Sequence, residues 1–434
     1  MKNIFFLFFL IALPSYSFYT FKDLAALQKE YQSSVLSLFE KVQSKKKQIK
    51  KLLYQEAFWW QHAPSVGLYA SLDAKDTYIP HMFSLWDLAP HKGKGVSVAV
   101  FDTEVSPNHS LIRCSGDFFK HTTHKHAPFF DHGTHTVGLI GARTTTHQDY
   151  VFGLAPEASI MVFKTLDMFG KPTSLSVLLD AVKQALKHAV AIANISFTFD
   201  CYDDKNNKKR AELERLLSSI PYVMCAAGND GIEQTKHHKH RIAYPARIFN
   251  NIISVGSFGS TYCAKTNSYH YFVSPFSQYE PGKGPYFLAP GQMILSCSAL
   301  PVTQEDLYAF HAGTSCSAAI MSGFFALLIG EFGSLFSHDQ VMVVCKESAS
   351  GLTMHKEWKE KSLYGVIDMR TALCMLHVLK HAYAEHDLKT MPLHRYVCNV
   401  KKIKTILDTT KNISKPLTMQ AAIEFVKIKL LESK

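Results

Sequence analysis

Apolar positions in the middle of the chain fall in short, nearly unbroken runs. The stretch "VSVAVFD" (96–102) carries Val96, Val98, Val100 and Phe101 before it closes on Asp102. Such a run suits a strand buried on both faces, as in a parallel sheet. The pattern returns in "SIMVFKTL" (159–166), "VAIANISF" (190–197), "YVMCAAG" (222–228) and "NIISVGS" (251–257). Helical stretches separate several of these runs, notably 174–188 and 209–219. The alternation predicts an α/β fold, with a doubly wound, mostly parallel sheet flanked by helices. In such sheets function gathers beyond the carboxyl ends of the strands, where Asp102 and Asn229 both stand.

The two ends of the chain follow another rule. Residues 20–57 read as one long helix. Thr20 and Asp23 have capping-box spacing, and Tyr31, Val35, Leu38, Val42, Ile49 and Leu52 recur in steps of four and three, with Lys45 in one seam position. Beyond about residue 377 the pattern is again helical, with an amphipathic stretch from Leu417 to Leu431. The N-terminus joins Lys2 to an apolar run, Ile4 to Leu13, followed by Ser15-Tyr16-Ser17. That is the pattern of a secretory signal peptide, cut after Ser17. The run is far shorter than the roughly 20 residues that span a bilayer, and no later segment reads as spanning. The expected organisation is a signal peptide at 1–17, a helical N-terminal extension at 18–77, a core domain at 78–376 and a helical, basic C-terminal extension at 377–434. Export to the periplasm or the extracellular space follows from the first of these.

Charge sharpens the division. The formal net charge is +11, but residues 61–376 hold 27 basic and 27 acidic residues. Residues 18–60 hold 8 Lys against 4 acids, and residues 377–434 hold 11 Lys/Arg against 5. The basic surplus belongs to the extensions, which argues against nucleic acid as the partner of the core. The nine cysteines form no Cys-x-x-Cys pair, and their connectivity is not readable from one sequence. Cys225 and Cys316 sit in apolar surroundings and read as small buried hydrophobes.

Three polar residues interrupt the core's apolar pattern. Asp102 ends the first buried run, His132 opens "HGTHTVGLIGA", and Ser315 lies in "GTSCSAAIMSG". Ser315 has two readings, a helix N-cap or a nucleophile at the positive end of a helix dipole. Asp102 alone could cap a turn, His132 could be a core histidine as His135 is expected to be, and Asn229 could form a turn before Asp230-Gly231. The order Asp, His, Ser is that of subtilisin, and Gly313-Thr314-Ser315-Cys316-Ser317 lacks the second glycine of an α/β-hydrolase elbow.

From about Leu85 to Leu373 the sequence resembles the subtilisin-like serine proteases, the subtilases. "VAVFDTEV", "HGTHTVG" and "GTSCSAA" resemble the blocks around the family's Asp, His and Ser. "NISF" (194–197), "AAGND" (226–230), "YPA" (244–246), "SPFSQYEP" (274–281), "LAPG" (288–291) and "YGVID" (364–368) follow in the family's order. The resemblance implies a serine endopeptidase acting on protein or peptide substrates through an acyl-enzyme. Ser315 is then the nucleophile, His132 the general base and acid, and Asp102 the residue that orients it. Asn229 matches the oxyanion donor. Ser196, Phe197 and Thr198, with Ala226, Ala227 and Gly228, match segments that receive substrate. The same fold without activity would serve as a binding or scaffold protein, and an esterase would use the same triad on another leaving group.

Glu104, Thr198 and Ala319 depart from the pattern, standing where the family has glycine, glycine and proline. Thr198 would narrow the specificity pocket. The chemistry needs no cofactor. The resemblance allows structural calcium, yet no carboxylate-rich loop identifies a site. The histidines at 121, 124, 126, 237, 238 and 240 lack the spacing of a zinc site and read as exposed basic loops, so no metal ligand is assigned. The extension at 18–77 occupies the place of a propeptide, but its long-helix pattern differs from the mixed strand and helix of the common one.

Overall fold

The computed structural model describes most of residues 81–410, together with 423–426 and 428–429. The segments 115–130, 144–152, 200–206, 237–240, 264–267, 299–307 and 350–359 and a few isolated positions fall outside that description. The expected signal peptide, the helix at 20–57 and the two histidine clusters therefore lie outside the described residues. Of the stretch 417–431, residues 423–426 and 428–429 are helical.

The buried runs form strands. β1 (Ser97–Asp102), β2 (Ser159–Lys164), β3 (Ile192–Ile195), β4 (Tyr222–Ala226) and β5 (Ile252–Cys263) lie in one sheet, ordered β2-β1-β3-β4-β5 and parallel throughout. β5 is longer than the apolar run "NIISVGS". Its second half, Phe258–Cys263, continues beyond β4 and pairs antiparallel with β6 (Ser268–Val273), while Val255–Phe258 pair parallel with β7 (Phe287–Pro290), so that the same sheet has seven strands. A separate hairpin joins β8 (Ile294–Cys297) to β9 (Tyr308–His311). These later strands are short or polar, so periodicity did not announce them.

Helices cover both faces. α1 (His81–Leu88) precedes the sheet, and α2 (His132–Gly141) follows β1. α3 (Leu175–Lys187) and α4 (Asn207–Leu217) take the two predicted helical stretches, Ser174 capping α3 through Val177 N–H. Their apolar residues pack with Ala99, Phe101, Ala193, Ile195, Val223 and Cys225 of the sheet. Val98 and Val100, which alternate with those residues on β1, are equally buried. After the short α5 (Gly231–Lys236), α6 (Thr314–Phe332) packs against β1, β3, β4, β5 and β7. Contrary to the expectation that no later segment could span a membrane, α6 is long and apolar enough to do so. Nearly all of it is buried within the fold, so its apolarity is that of a central core helix.

α7 (His338–Ala349), α8 (Met369–Ala382), α9 (Glu385–Thr390) and α10 (Leu393–Thr410) complete the order. The expected boundary between 376 and 377 falls inside α8, whose Leu376, Val378 and Leu379 are buried. α10 packs on α7 and α8, burying Tyr396, Val400 and Ile403.

Candidate active site

β1 lies between β2, which follows it in sequence, and β3, which the chain reaches only by crossing back. The carboxyl end of β1 is therefore a topological switch point, where side chains from diverging connections face one crevice. Asp102 stands there, fully buried. A buried carboxylate must be satisfied. Asp102 Oδ1 accepts from Thr103 N–H at 2.7 Å and meets His132 Nδ1 at 2.7 Å, and Oδ2 accepts from Thr136 Oγ1 at 3.1 Å. Nδ1 is thus the protonated nitrogen, which leaves Nε2 as the basic one.

The approach of α2 to β1 depends on Gly133. A Cβ there would lie 2.7 Å from Thr103 O and 2.8 Å from Thr103 Oγ1. Its N–H instead donates to Thr103 Oγ1 at 2.8 Å, tying the first turn of α2 to the residue after Asp102. Burial pushes the His132 pKa down, but the charge and hydrogen bond of Asp102, aided by Asp131, raise it above the ordinary histidine value.

Ser315 lies in the first turn of α6 and is buried. It is not the cap. Gly313 is the N-cap residue, and the buried backbone N–H of Thr314, which has no partner within its own helix, is satisfied from another strand end: Thr314 N–H donates to Asn229 Oδ1 at 2.9 Å, and Thr314 Oγ1 donates to the same atom at 3.0 Å. Thr314 Oγ1 in turn accepts from Gly228 N–H at 3.1 Å. With Oδ1 committed to Thr314, the amide nitrogen of Asn229 faces the other way. A Cβ on Gly313 would sit 3.0 Å from Ser315 Oγ and 3.2 Å from Asn229 Nδ2. The missing side chain leaves a space within hydrogen-bonding reach of both groups.

A buried network holds this helix end on the sheet. Ser322 Oγ of α6 donates to Asn194 Oδ1, Asn194 Nδ2 donates to Ser196 Oγ, and Ser196 Oγ donates to Ser315 O at 3.2 Å. Sequence reasoning missed Asn194 and Ser322, whose only signal was a polar residue inside an apolar run. Ser196 is thus part of the support, and the Phe197 side chain belongs to the core beside Phe199. Thr198 is half-buried, and Ala226, Ala227 and Gly228 are buried at the end of β4. β3 and β4 pair only as far as Ile195 and Cys225, so the backbone of both segments runs on beyond their ladder.

Glu104 does not take the left-handed backbone that would call for glycine, and its carboxylate forms an ion pair with Lys164 Nζ. Ala319 is fully buried within α6. Burial raises the Cys316 thiol to about 12, so it stays neutral. Among the described residues no cluster of His, Cys, Asp or Glu is arranged to hold a metal ion.

Residues 93–367 match the model of the Subtilase family. The chain is 31% identical over 246 residues to the major intracellular serine protease of Bacillus subtilis, covering 55% of this chain and 69% of that protein. It is 28% identical over 255 residues to the intracellular serine protease of Paenibacillus polymyxa, covering 57% and 71%. The minor extracellular protease Epr of Bacillus subtilis is 29% identical over 259 residues, which is 57% of this chain and 35% of that protein.

Proposed function

The chain belongs to the subtilase family and is a serine-type endopeptidase; from that premise we propose that Asp102, His132 and Ser315 form its catalytic triad, with Asn229 as an oxyanion donor. Ser315 Oγ attacks the scissile carbonyl carbon while His132 Nε2 takes its proton. Asp102 holds the resulting imidazolium through Nδ1–H. The carbonyl oxygen becomes an alkoxide in the space before Gly313, where Asn229 Nδ2 and the backbone N–H of Ser315 donate to it. Collapse breaks the C–N bond, and His132 returns its proton to the leaving amine. A water then repeats the sequence on the acyl-enzyme and releases the acid. No cofactor enters the reaction.

One observation carries this reading: the space before Gly313 is reached by both Ser315 Oγ and Asn229 Nδ2. The backbones of 196–198 and 226–228 receive the substrate chain where β3 and β4 part beyond Ile195 and Cys225. The enzyme is exported, on the strength of the N-terminal pattern from Lys2 to Ser17.

Fluorophosphonate labelling tests the triad. The purified protein is expected to label, and Ser315→Ala is expected to abolish both labelling and peptidase activity. Because Ser315 is not the helix cap, its melting temperature should change little. Full labelling of the variant overturns the assignment. N-terminal sequencing of protein from the culture medium or periplasm tests export, with a first residue of Phe18 expected and a cytoplasmic, uncut chain refuting it.

A further inference from the structure

A second carboxylate–imidazole pair stands beside the proposed triad. Asp131, the residue before His132, is the N-cap residue of α2, yet its side chain makes no capping hydrogen bond. Aspartate at that position ordinarily caps its helix. Here both oxygens turn elsewhere: Oδ1 meets His311 Nε2 at 3.0 Å and Oδ2 accepts from Ser298 Oγ at 3.1 Å. His311 ends β9, 180 residues along the chain from Asp131. Its ring stacks on His135 at 4.1 Å with 4° between planes, and its centroid is 6.3 Å from that of His132.

We propose that Asp131 and His311 are positioning residues that tune the general base: Asp131 is a buried negative charge beside His132, and its contact with His311 decides how much of that charge His132 feels. The inference rests on His132 being the base of the proposed triad.

The groups around this pair are neutral or committed to other partners. His135, from α2, is kept neutral: burial pushes its pKa well down, and Nε2 donates to Ile294 O at 2.9 Å. Asp102, from β1, is committed to His132 and Thr136. Cys316, from α6, is a neutral thiol, Cys297 of β8 is buried, and Glu104 is paired with Lys164. Burial raises the Asp131 pKa, but His311 and the hydrogen bond from Ser298 carry it far below the usual carboxylate range. Asp131 is therefore ionised wherever the enzyme works.

The sign follows. A negative charge favours the imidazolium form of His132, so removing it lets His132 lose its proton at lower pH. Removing the His311 ring while Asp131 remains frees that carboxylate of its partner and does the reverse.

The test is the second-order rate of fluorophosphonate labelling, with kcat/KM on a peptide substrate, from pH 5 to 9. Wild type, Asp131→Asn and His311→Gln are compared, each checked for folding by its thermal transition. The acidic limb should move down by roughly half to one pH unit in Asp131→Asn and up in His311→Gln, the size expected for one partly screened charge at this range. A limb unmoved in Asp131→Asn, or moved in the same direction by both variants, overturns the proposal. If Asp131→Asn does not fold, the upward shift in His311→Gln decides alone. A wild type that does not label refutes the triad itself, whereas labelling with unmoved limbs refutes only the tuning pair.

Discussion

Asn229→Asp exchanges one NH2 for one oxygen at the edge of the space before Gly313. Asn229 holds two contacts of opposite polarity there. Its Oδ1 accepts from Thr314 N–H and Oγ1 at 2.9 and 3.0 Å, which secures the start of α6, and its Nδ2 faces the site. Aspartate keeps the acceptor, so the helix end stays satisfied, and the melting temperature should stay near that of wild type. Alanine would instead leave Thr314 N–H without its acceptor, at a cost of about 1–3 kcal/mol for a buried donor. Catalysis responds to the other atom. Loss of one oxyanion donor costs about 2.7–4 kcal/mol, a magnitude taken from subtilisin and not from this chain. The new carboxylate oxygen also repels the alkoxide, by about 1 kcal/mol if water screens it fully and about 4 kcal/mol at an effective dielectric of 20. Even the smaller pair of values, about 3.7 kcal/mol, corresponds to roughly 500-fold in kcat. KM should barely move, because the charge exists only in the transition state. Steady-state kinetics and thermal unfolding of Asn229→Asp and Asn229→Ala, measured together, check this. A kcat per folded molecule within tenfold of wild type for Asn229→Asp would refute the oxyanion role, and equal destabilisation of both variants would refute the account of Thr314.

Two further outcomes follow from the same geometry. Gly313→Ala places a methyl 3.0 Å from Ser315 Oγ and 3.2 Å from Asn229 Nδ2, filling the space meant for the alkoxide; kcat should fall by about 10² or more with the fold retained, since occlusion removes the contacts that such a site supplies. Unimpaired hydrolysis by Gly313→Ala would place the oxyanion elsewhere. The raised pKa of His132 makes activity and fold respond oppositely to pH. Activity is lost as pH falls through the raised value, because the base is then protonated. The stability from the Asp102–His132 pair is fully present below the unfolded histidine pKa of about 6.5 and is lost as pH rises through the folded value. The stability gap between wild type and His132→Gln in urea unfolding should therefore be larger at pH 5.5 than at pH 8.5, and a gap that grows with pH would contradict it.

Local pattern determined a great deal. A strand buried on both faces is apolar almost throughout, so β1 to β4 stood out in the chain, and the polar residues that close the β1 and β4 runs, Asp102 and Asn229, marked the edge of the crevice. Asp102 and Asn229 were legible in that way, and Ser315 and His132 through the small-residue turns that let helices approach the sheet. What the pattern could not carry was the choice of distant partner. Nothing near Ser315 says that Asn229, 85 residues before Thr314, accepts from the Thr314 N–H and satisfies the helix start in place of the Ser315 hydroxyl. Nothing near Asp131 says that it abandons its own helix for His311. Phe197, read as part of a segment that receives substrate, has its side chain in the core cluster that also holds residues of α3 and α4. β5 outruns its apolar stretch because β6 supplies backbone partners for the polar half. Burial is encoded residue by residue, since each side chain carries its own transfer free energy. Hydrogen-bond and ion-pair partners are selected only when the closed chain brings particular atoms within reach, and that selection belongs to the tertiary structure.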